Sequence, residues 1–305
     1  MTILRLLENI RTPFGEQFFQ LLTYFGEELL VIVVICSLYW CFNKKAAYRI
    51  GLIYFTTGLT VQVLKITFRI PRPWVLDSDF KAVESAIPAA TGYSFPSGHT
   101  QSGTCLYAPL AAQSKKIWIK ILCVLAFLLI GFSRMYLGVH TPKDVLVSMG
   151  LSLLFTWIIF HFKEQLLGDT AHAGRIAAAL AVFSCAVCTY AFLLWKGNVI
   201  DLKYVTDCFK ASGAGFGFAL GLYLEKTYLN FIVKDLSGMK KLCRIIIGLV
   251  TAITLKTLLK LLGEDILLVQ MLSYFLLVVW VIFLYPYLFT AKERQHIKTT
   301  SHKSI

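Results

Sequence analysis

With 305 residues, 57% of them hydrophobic and only 15% charged, this chain cannot be a soluble globular domain, where charged residues make up roughly 25% of the total. The formal net charge of +13 sits in short Lys and Arg clusters between apolar runs. That is the pattern of topology signals and lipid-headgroup contact, and it argues against a nucleic-acid partner. A mean hydropathy of +0.68 and repeated apolar runs of about 20 residues predict an all-α, polytopic transmembrane bundle.

The first stretch, residues 1–25, sets Leu4, Leu7, Ile10, Phe14, Phe18, Leu21, Leu22 and Phe25 at helical spacing with charges between them. It predicts an amphipathic helix at the interface, with Pro13 as its point of breakage. Arg5, Glu8 and Arg11 interrupt any continuous apolar core of a cleaved signal, so none is expected. Nine spans are then predicted, at 27–42, 46–68, 96–113, 117–136, 142–161, 175–195, 207–224, 242–262 and 266–290. A polar connection covers 74–94, a polar linker 163–174, and a basic tail 291–305. In the seventh span Gly213, Gly217 and Gly221 recur every four residues, a stripe that lets another helix approach closely.

Eight cysteines lie mostly inside apolar runs. Cys185 and Cys188 form one CxxC, but no second ligand pair stands at zinc spacing. They read as small packing residues, and no disulfide framework is implied.

Loop charges orient the chain. Lys44, Lys45 and Arg49, then Lys115, Lys116 and Lys120, then the cations after the fifth and seventh spans and in the tail, all fall on one side. The positive-inside rule makes that side the cytoplasm. The tail is then cytoplasmic, and three polar clusters fall at external span ends: KITFRIPRP (65–73), FPSGHT (95–100) and SRMYLGVHTPKD (133–144).

These clusters hold the ionisable groups that an apolar chain must have a reason to keep. Lys65, Arg72 and Arg134 can neutralise a phosphate and the charge that spreads over its equatorial oxygens, with arginine suited to bidentate contact. Either of the first two by itself reads as a cation snorkelling at a span end. Pro96-Ser97-Gly98-His99 reads as a turn entering a helix, whose free backbone N–H groups and dipole favour an anion. Ser97 is equally the N-cap of an ordinary helix start. His140 and Asp144 are four residues apart, on one face if the helix includes both. A carboxylate on one ring nitrogen makes the other more basic, so His140 is the candidate nucleophile and His99 the candidate proton donor.

The clusters resemble the three-part signature of the type 2 phosphatidic acid phosphatase superfamily, which includes lipid phosphatases, glucose-6-phosphatase and vanadium haloperoxidases. Lys65, six residues, Arg72-Pro73 corresponds to the first part, and Pro96-Ser97-Gly98-His99 to the second. Ser133-Arg134, five residues, His140, three residues, Asp144 corresponds to the third. The resemblance implies that Lys65, Arg72, Ser97, Gly98 and Arg134 bind phosphate. It implies that His140 is the nucleophile, His99 the general acid and Asp144 its orienting partner, with no metal and no cofactor. The phosphatase core is expected over 26–162, and 175–290 as an added four-span extension. In span number and orientation the layout resembles sphingosine-1-phosphate phosphatases and glucose-6-phosphatase more than minimal bacterial lipid phosphatases.

The implied activity is removal of phosphate from a phosphomonoester or pyrophosphate, with a phosphorylated lipid as substrate, in a bacterial cell membrane. The same site could instead pass phosphate to another lipid, or take a soluble sugar phosphate. A lipid transporter or binder that keeps the cradle without turnover is the rival from another class. Against it, the C-terminal spans carry few ionisable groups at mid-depth apart from Lys256 and Lys260, and transport paths need polar lining. A vanadate-dependent oxidase fits less well still. Packing or contact between copies in a homo-oligomer is the role expected of those spans.

Overall fold

The computed structural model describes residues 1–162, 166–167, 170–261, 263 and 266–291. Residues 163–165 and 168–169 of the expected linker, and 292–305 of the expected tail, lie outside them. The described residues are nearly all helical and contain no strand. In order they form α1 (Thr2–Asn9), α2 (Pro13–Tyr24), α3 (Glu28–Ser37), α4 (Lys44–Phe68), α5 (Pro73–Leu76), α6 (Gly98–Gln113), α7 (Ile117–Tyr136) and α8 (Pro142–His161). Then follow α9 (Thr170–Lys196), α10 (Leu202–Leu224), α11 (Gly238–Lys260) and α12 (Leu267–Val279). Short π-helical turns extend α3 (Leu38–Phe42), α10 (Glu225–Leu229) and α12 (Trp280–Leu284).

Among the described residues seven stretches are long and apolar enough to cross a membrane: Pro13–Phe42, Lys44–Leu76, Ile117–Tyr136, Pro142–His161, Thr170–Lys196, Gly238–Lys260 and Leu267–Ala291. The other two of the nine expected spans correspond to α6 and α10, which fall outside that set. At 16 residues α6 is about 24 Å long, short of a ~30 Å hydrocarbon core.

Local chemistry sets the helix starts that matter. Thr12 caps α2 by accepting from the Gly15 N–H at 3.1 Å, with Pro13 in the first turn, so the expected break at Pro13 is a helix start. At the other end of α4, Arg69 takes a left-handed conformation (φ 49), and Pro71 and Pro73 forbid continuation.

The chain divides into two compact units. The first comprises Met1–Ile35, Arg49–Phe162 and Val187–Cys208. In it α6, α7 and α8 pack on one another, and α1 and α2 lie along α7. Arg5 grips both carboxylate oxygens of Asp77 at 2.7 and 2.8 Å. Arg11 donates from Nε to the Tyr136 carbonyl at 2.8 Å, and Phe19 lies against the Tyr136 ring with centroids 4.3 Å apart. The N-terminal segment is therefore tied by specific polar bonds to the end of α7, while Phe14 and Leu21 keep its outer face apolar. The 77–94 connection is fastened too: Val83 N–H donates to the Leu137 carbonyl at 3.0 Å, and Val83, Ala86, Ala90, Leu137 and Val139 form a small buried core. Between Leu137 and Val139, Gly138 has φ +77, a conformation that costs any other residue strain. That turn delivers the chain to residue 140.

The second unit comprises Cys36–Tyr48, Lys163–Ala186 and Phe209–Ile305. Here the glycine stripe works as its spacing predicts. A Cβ at Gly213 would collide with the Met271 carbonyl, one at Gly217 would lie 2.5 Å from the Phe275 carbonyl, and one at Gly221 2.9 Å from the Ile282 side chain. The stripe's partner is thus α12 and its extension, in the same unit. A buried carboxylate, Glu225, is fully used: it accepts from Lys44 Nζ at 2.8 Å, the Tyr48 hydroxyl at 2.5 Å and the Phe231 N–H at 3.1 Å. A buried ion costs stability unless paired in this way.

Candidate active site

All eight candidate residues lie in the first unit, at helix ends. Lys65 is in the last turn of α4, Arg72 precedes α5, Ser97 caps α6, and Gly98 and His99 open it. Arg134 is in the last turn of α7, His140 precedes the cap of α8, and Asp144 lies in its first turn. The structure brings them together. Arg72 touches His140, His140 faces Asp144, Asp144 and Ser97 are joined through the backbone, and the charges of Arg134, Arg72 and Lys65 all act on His99.

The two histidines differ in how they are held. His140 is 2% exposed, and its N–H donates to the Arg134 carbonyl at 3.2 Å. It lies outside the helix that holds Asp144, which begins at Pro142 as the span expected at 142–161 does. Thr141 is the N-cap of α8, and Asp144 at the third helical position reaches back to the Thr141 N–H at 2.7 Å. This is a capping box, with aspartate in place of the usual glutamate, and it is what turns the carboxylate toward the preceding histidine. His140 Nδ1 stands 3.5 Å from Asp144 Oδ2, long for a hydrogen bond. That oxygen already accepts from Thr141 and from the Ser94 hydroxyl at 2.6 Å. On the other side of the ring, Arg72 Nη1 lies 2.9 Å from His140 Nε2. A guanidinium can only donate, so Nε2 carries the lone pair and Nδ1 the proton. Burial first, and then the Arg72 charge, push the His140 imidazole well below its ordinary pKa, with Asp144 pulling the other way. The ring is neutral at neutral pH, which is the form a nucleophile needs.

Around this ring the cations are fastened by backbone carbonyls. Arg72 donates from Nε to Gly92 O at 3.1 Å, from Nη2 to Thr91 O at 2.7 Å and from Nη1 to Val139 O at 3.0 Å. Lys65 Nζ donates to Tyr93 O at 3.2 Å. Arg134 is different. Its side chain is wholly buried, Nη1 donates to Thr23 Oγ1 at 2.8 Å, and Nε and Nη2 have no partner among the described residues. His99 Nε2 is also buried and unpaired. Unsatisfied donors on a buried cation are costly, and the arrangement suits an anion that takes up several of them.

Ser97 behaves as its capping reading expects. Its hydroxyl accepts from Thr100 Oγ1 at 2.9 Å and Thr100 N at 3.4 Å, and its carbonyl accepts from Ser148 at 2.6 Å. Gly98 faces open space, since a Cβ there would meet nothing within 4 Å. Gly98→Ala should therefore fold normally, with an unchanged thermal midpoint in detergent, yet lose about 10- to 100-fold in turnover if a phosphate must approach that backbone. Unchanged turnover would remove Gly98 from the phosphate cradle.

Two contributors carried no sequence signal. Thr23 is one hydroxyl near the end of an amphipathic helix, and Ser94 belongs to no spacing rule. Only the fold brings Thr23 to Arg134 and Ser94 to Asp144.

Residues 46–167 match the family model described as PAP2 superfamily, and residues 209–294 the one described as PAP2 superfamily phosphatase, transmembrane extension. The chain is 30% identical over 171 residues to phosphatidylglycerophosphatase B of Bacillus subtilis, covering 52% of this chain and 79% of that protein. It is 30% identical over 131 residues to undecaprenyl-diphosphatase BcrC of the same organism, covering 42% of this chain and 65% of that protein. Among solved structures, Aquifex aeolicus LpxE aligns at 27% identity over 52% of this chain and 93% of that one, with a TM-score of 0.45.

Proposed function

The chain belongs to the PAP2 superfamily and is a multi-pass membrane phosphatase, and from that premise we propose that it dephosphorylates a lipid through a phosphohistidine on His140, without a metal ion. The single observation that carries the reading is the neutral His140, its Nε2 lone pair directed at Arg72, beside a buried Arg134 with unpaired donors. A substrate phosphate entering here takes the Arg72 N–H from Nε2 and so exposes the lone pair to phosphorus. Nε2 then forms its bond to phosphorus as the bond to the lipid oxygen breaks. His99, kept neutral by burial and by three cations before substrate enters and protonated once the phosphate dianion offsets their charge, gives that oxygen its proton. In the second step water attacks phosphorus, His99 takes the water proton, and the N–P bond breaks to release inorganic phosphate. Lys65, Arg72 and Arg134 balance the charge on the transferring group, the work a metal ion would otherwise do.

The lipid class is supported by the relatives, whose names give a phosphatidylglycerophosphatase and an undecaprenyl-diphosphatase. The test is phosphate release by detergent-purified protein in chelator, on phosphatidylglycerol phosphate, undecaprenyl diphosphate, phosphatidic acid, sphingosine-1-phosphate and glucose-6-phosphate. Release from one or more lipids, and not from the sugar phosphate, is expected. Dependence on added metal, or preference for the sugar, would overturn the proposal.

The proposed setting is a bacterial cell membrane, with the site on the extracytoplasmic face and the C-terminus in the cytoplasm. This rests on loop cations such as Lys115, Lys116 and Lys120 lying at the opposite helix ends from the site. A reporter fused after Ile305 should read cytoplasm, and an external signal would reverse the orientation.

A further inference from the structure

The unit that holds the site also contains Val187–Cys208, which lies beyond the family match at 46–167. Tyr190 brings its hydroxyl to 3.1 Å from Thr67 Oγ1, close to the end of α4 that carries Lys65. Farther on, Tyr204 and Asp207 share a face of the first turns of α10, and both reach the 91–93 loop. The Tyr204 ring stacks on Tyr93, with centroids 3.9 Å apart and planes 11° from parallel. Gly92 is covered by both residues: a Cβ there would stand 3.9 Å from Asp207 Oδ2 and 3.9 Å from the Tyr204 ring. Its φ of +72 favours glycine, while a Cβ there would make only ordinary contact with the two side chains. The carbonyls of this loop are the ones that hold Lys65 and Arg72. Asp207 and Asp144 are the two carboxylates whose charges act on Lys65, and Asp144 is already occupied by Thr141 and Ser94.

We propose that Tyr204 and Asp207 are positioning residues of the phosphate site, Tyr204 bracing the loop that fastens Lys65 and Arg72, and Asp207 serving as a counter-charge to Lys65 that a bound phosphate must outcompete. The inference rests on the phosphatase reading and deepens it. A site with three cations tends to retain its phosphate product. A carboxylate acting on one of them weakens the hold and favours release.

The charge gives the test its sign. Asp207→Asn keeps the shape and removes the negative charge, so inorganic phosphate should bind about 3- to 10-fold more tightly. Binding is read from the phosphate-dependent rise in thermal midpoint of the full-length protein in detergent, which needs no turnover. Four proteins are titrated: wild type, Asp207→Asn, Lys65→Gln and the double variant. Tightening in Asp207→Asn that largely disappears in the Lys65→Gln background, with wild-type affinity kept in Asp207→Glu, is the expected result. Unchanged or weaker binding in Asp207→Asn, or equal tightening with and without Lys65, would overturn the role of Asp207. Tyr204→Phe should leave phosphate affinity alone and Tyr204→Ala should weaken it several-fold, and equal affinity in the two would overturn the bracing role. If wild type itself shows no phosphate-dependent shift, it is the reading of Lys65, Arg72 and Arg134 as the phosphate cradle that fails. Should Asp207→Asn not fold, Asp207→Ser carries the same charge test.

Discussion

His140→Ala should abolish phosphate release, by at least about 10⁴-fold, the scale on which loss of a nucleophile is felt when the rest of the machinery acts with it as a unit. The geometry says why the loss should be so specific. Arg72 keeps three carbonyl partners, Gly92, Thr91 and Val139, when the ring is gone. Lys65 keeps Tyr93, and Asp144 keeps Thr141 and Ser94. The cradle therefore survives, and inorganic phosphate should still raise the thermal midpoint of the variant. Chemistry is lost while binding persists. Wild type quenched during turnover of a lipid carrying ³²P should hold a protein-bound label that is stable in alkali and lost in acid, as a phosphohistidine is, and His140→Ala should hold none. A variant that still turns over, or a label that survives the substitution, would move the nucleophile elsewhere.

Arg134→Met should produce the opposite signs in activity and stability. The Arg134 side chain is fully buried, and among the described residues only its Nη1 has a partner, the Thr23 hydroxyl. Its charge is thus carried into the fold without a neutralising group in direct contact, an arrangement that an apolar side chain of similar reach relieves. In phosphate-free detergent the variant should melt no lower than wild type, and a rise of a few degrees is expected. Turnover should fall by more than about 10³-fold, because the fork that meets the transferring oxygens is missing. Arg134→Lys should restore little, since an ammonium cannot supply the planar pair of donors. Phosphate should raise the midpoint of wild type and leave that of Arg134→Met unmoved. A variant that melts far below wild type would make Arg134 a structural residue first.

Both experiments turn on residues that are visible in the sequence, and the reason is local. A chain that is 57% hydrophobic and 15% charged exposes the few ionisable groups that sit at span ends, and Lys65, Arg72, His99, Arg134, His140 and Asp144 fall in three short runs at fixed spacing. Helix positions were legible for the same reason, because apolar length is a property of contiguous residues. So was the glycine stripe at Gly213, Gly217 and Gly221, whose four-residue period already marks a close contact. Its partner α12 was not named by it.

What stayed hidden depends on residues distant in sequence. Spacing put His140 and Asp144 on one helix face only if the helix included both, and the span expected at 142–161 left His140 outside. The structure makes Thr141 the cap, and it is the capping box that turns the carboxylate back toward that histidine. Nothing local shows that Arg72 would shield Nε2, because that contact needs the chain 68 residues later. Thr23, Ser94, the 91–93 carbonyls, Tyr204 and Asp207 belong to no motif. Each is an ordinary residue whose role comes from what packs beside it. The sequence by itself determined a helical membrane protein and the chemistry gathered at its span ends, since both are written in apolar length and in charges that hydrocarbon would otherwise exclude. Tertiary structure alone decided which atoms hold each cation and which nitrogen of His140 keeps its lone pair. Hydrogen bonds are directional and short, and only the folded chain brings their partners within 3 Å or so of one another.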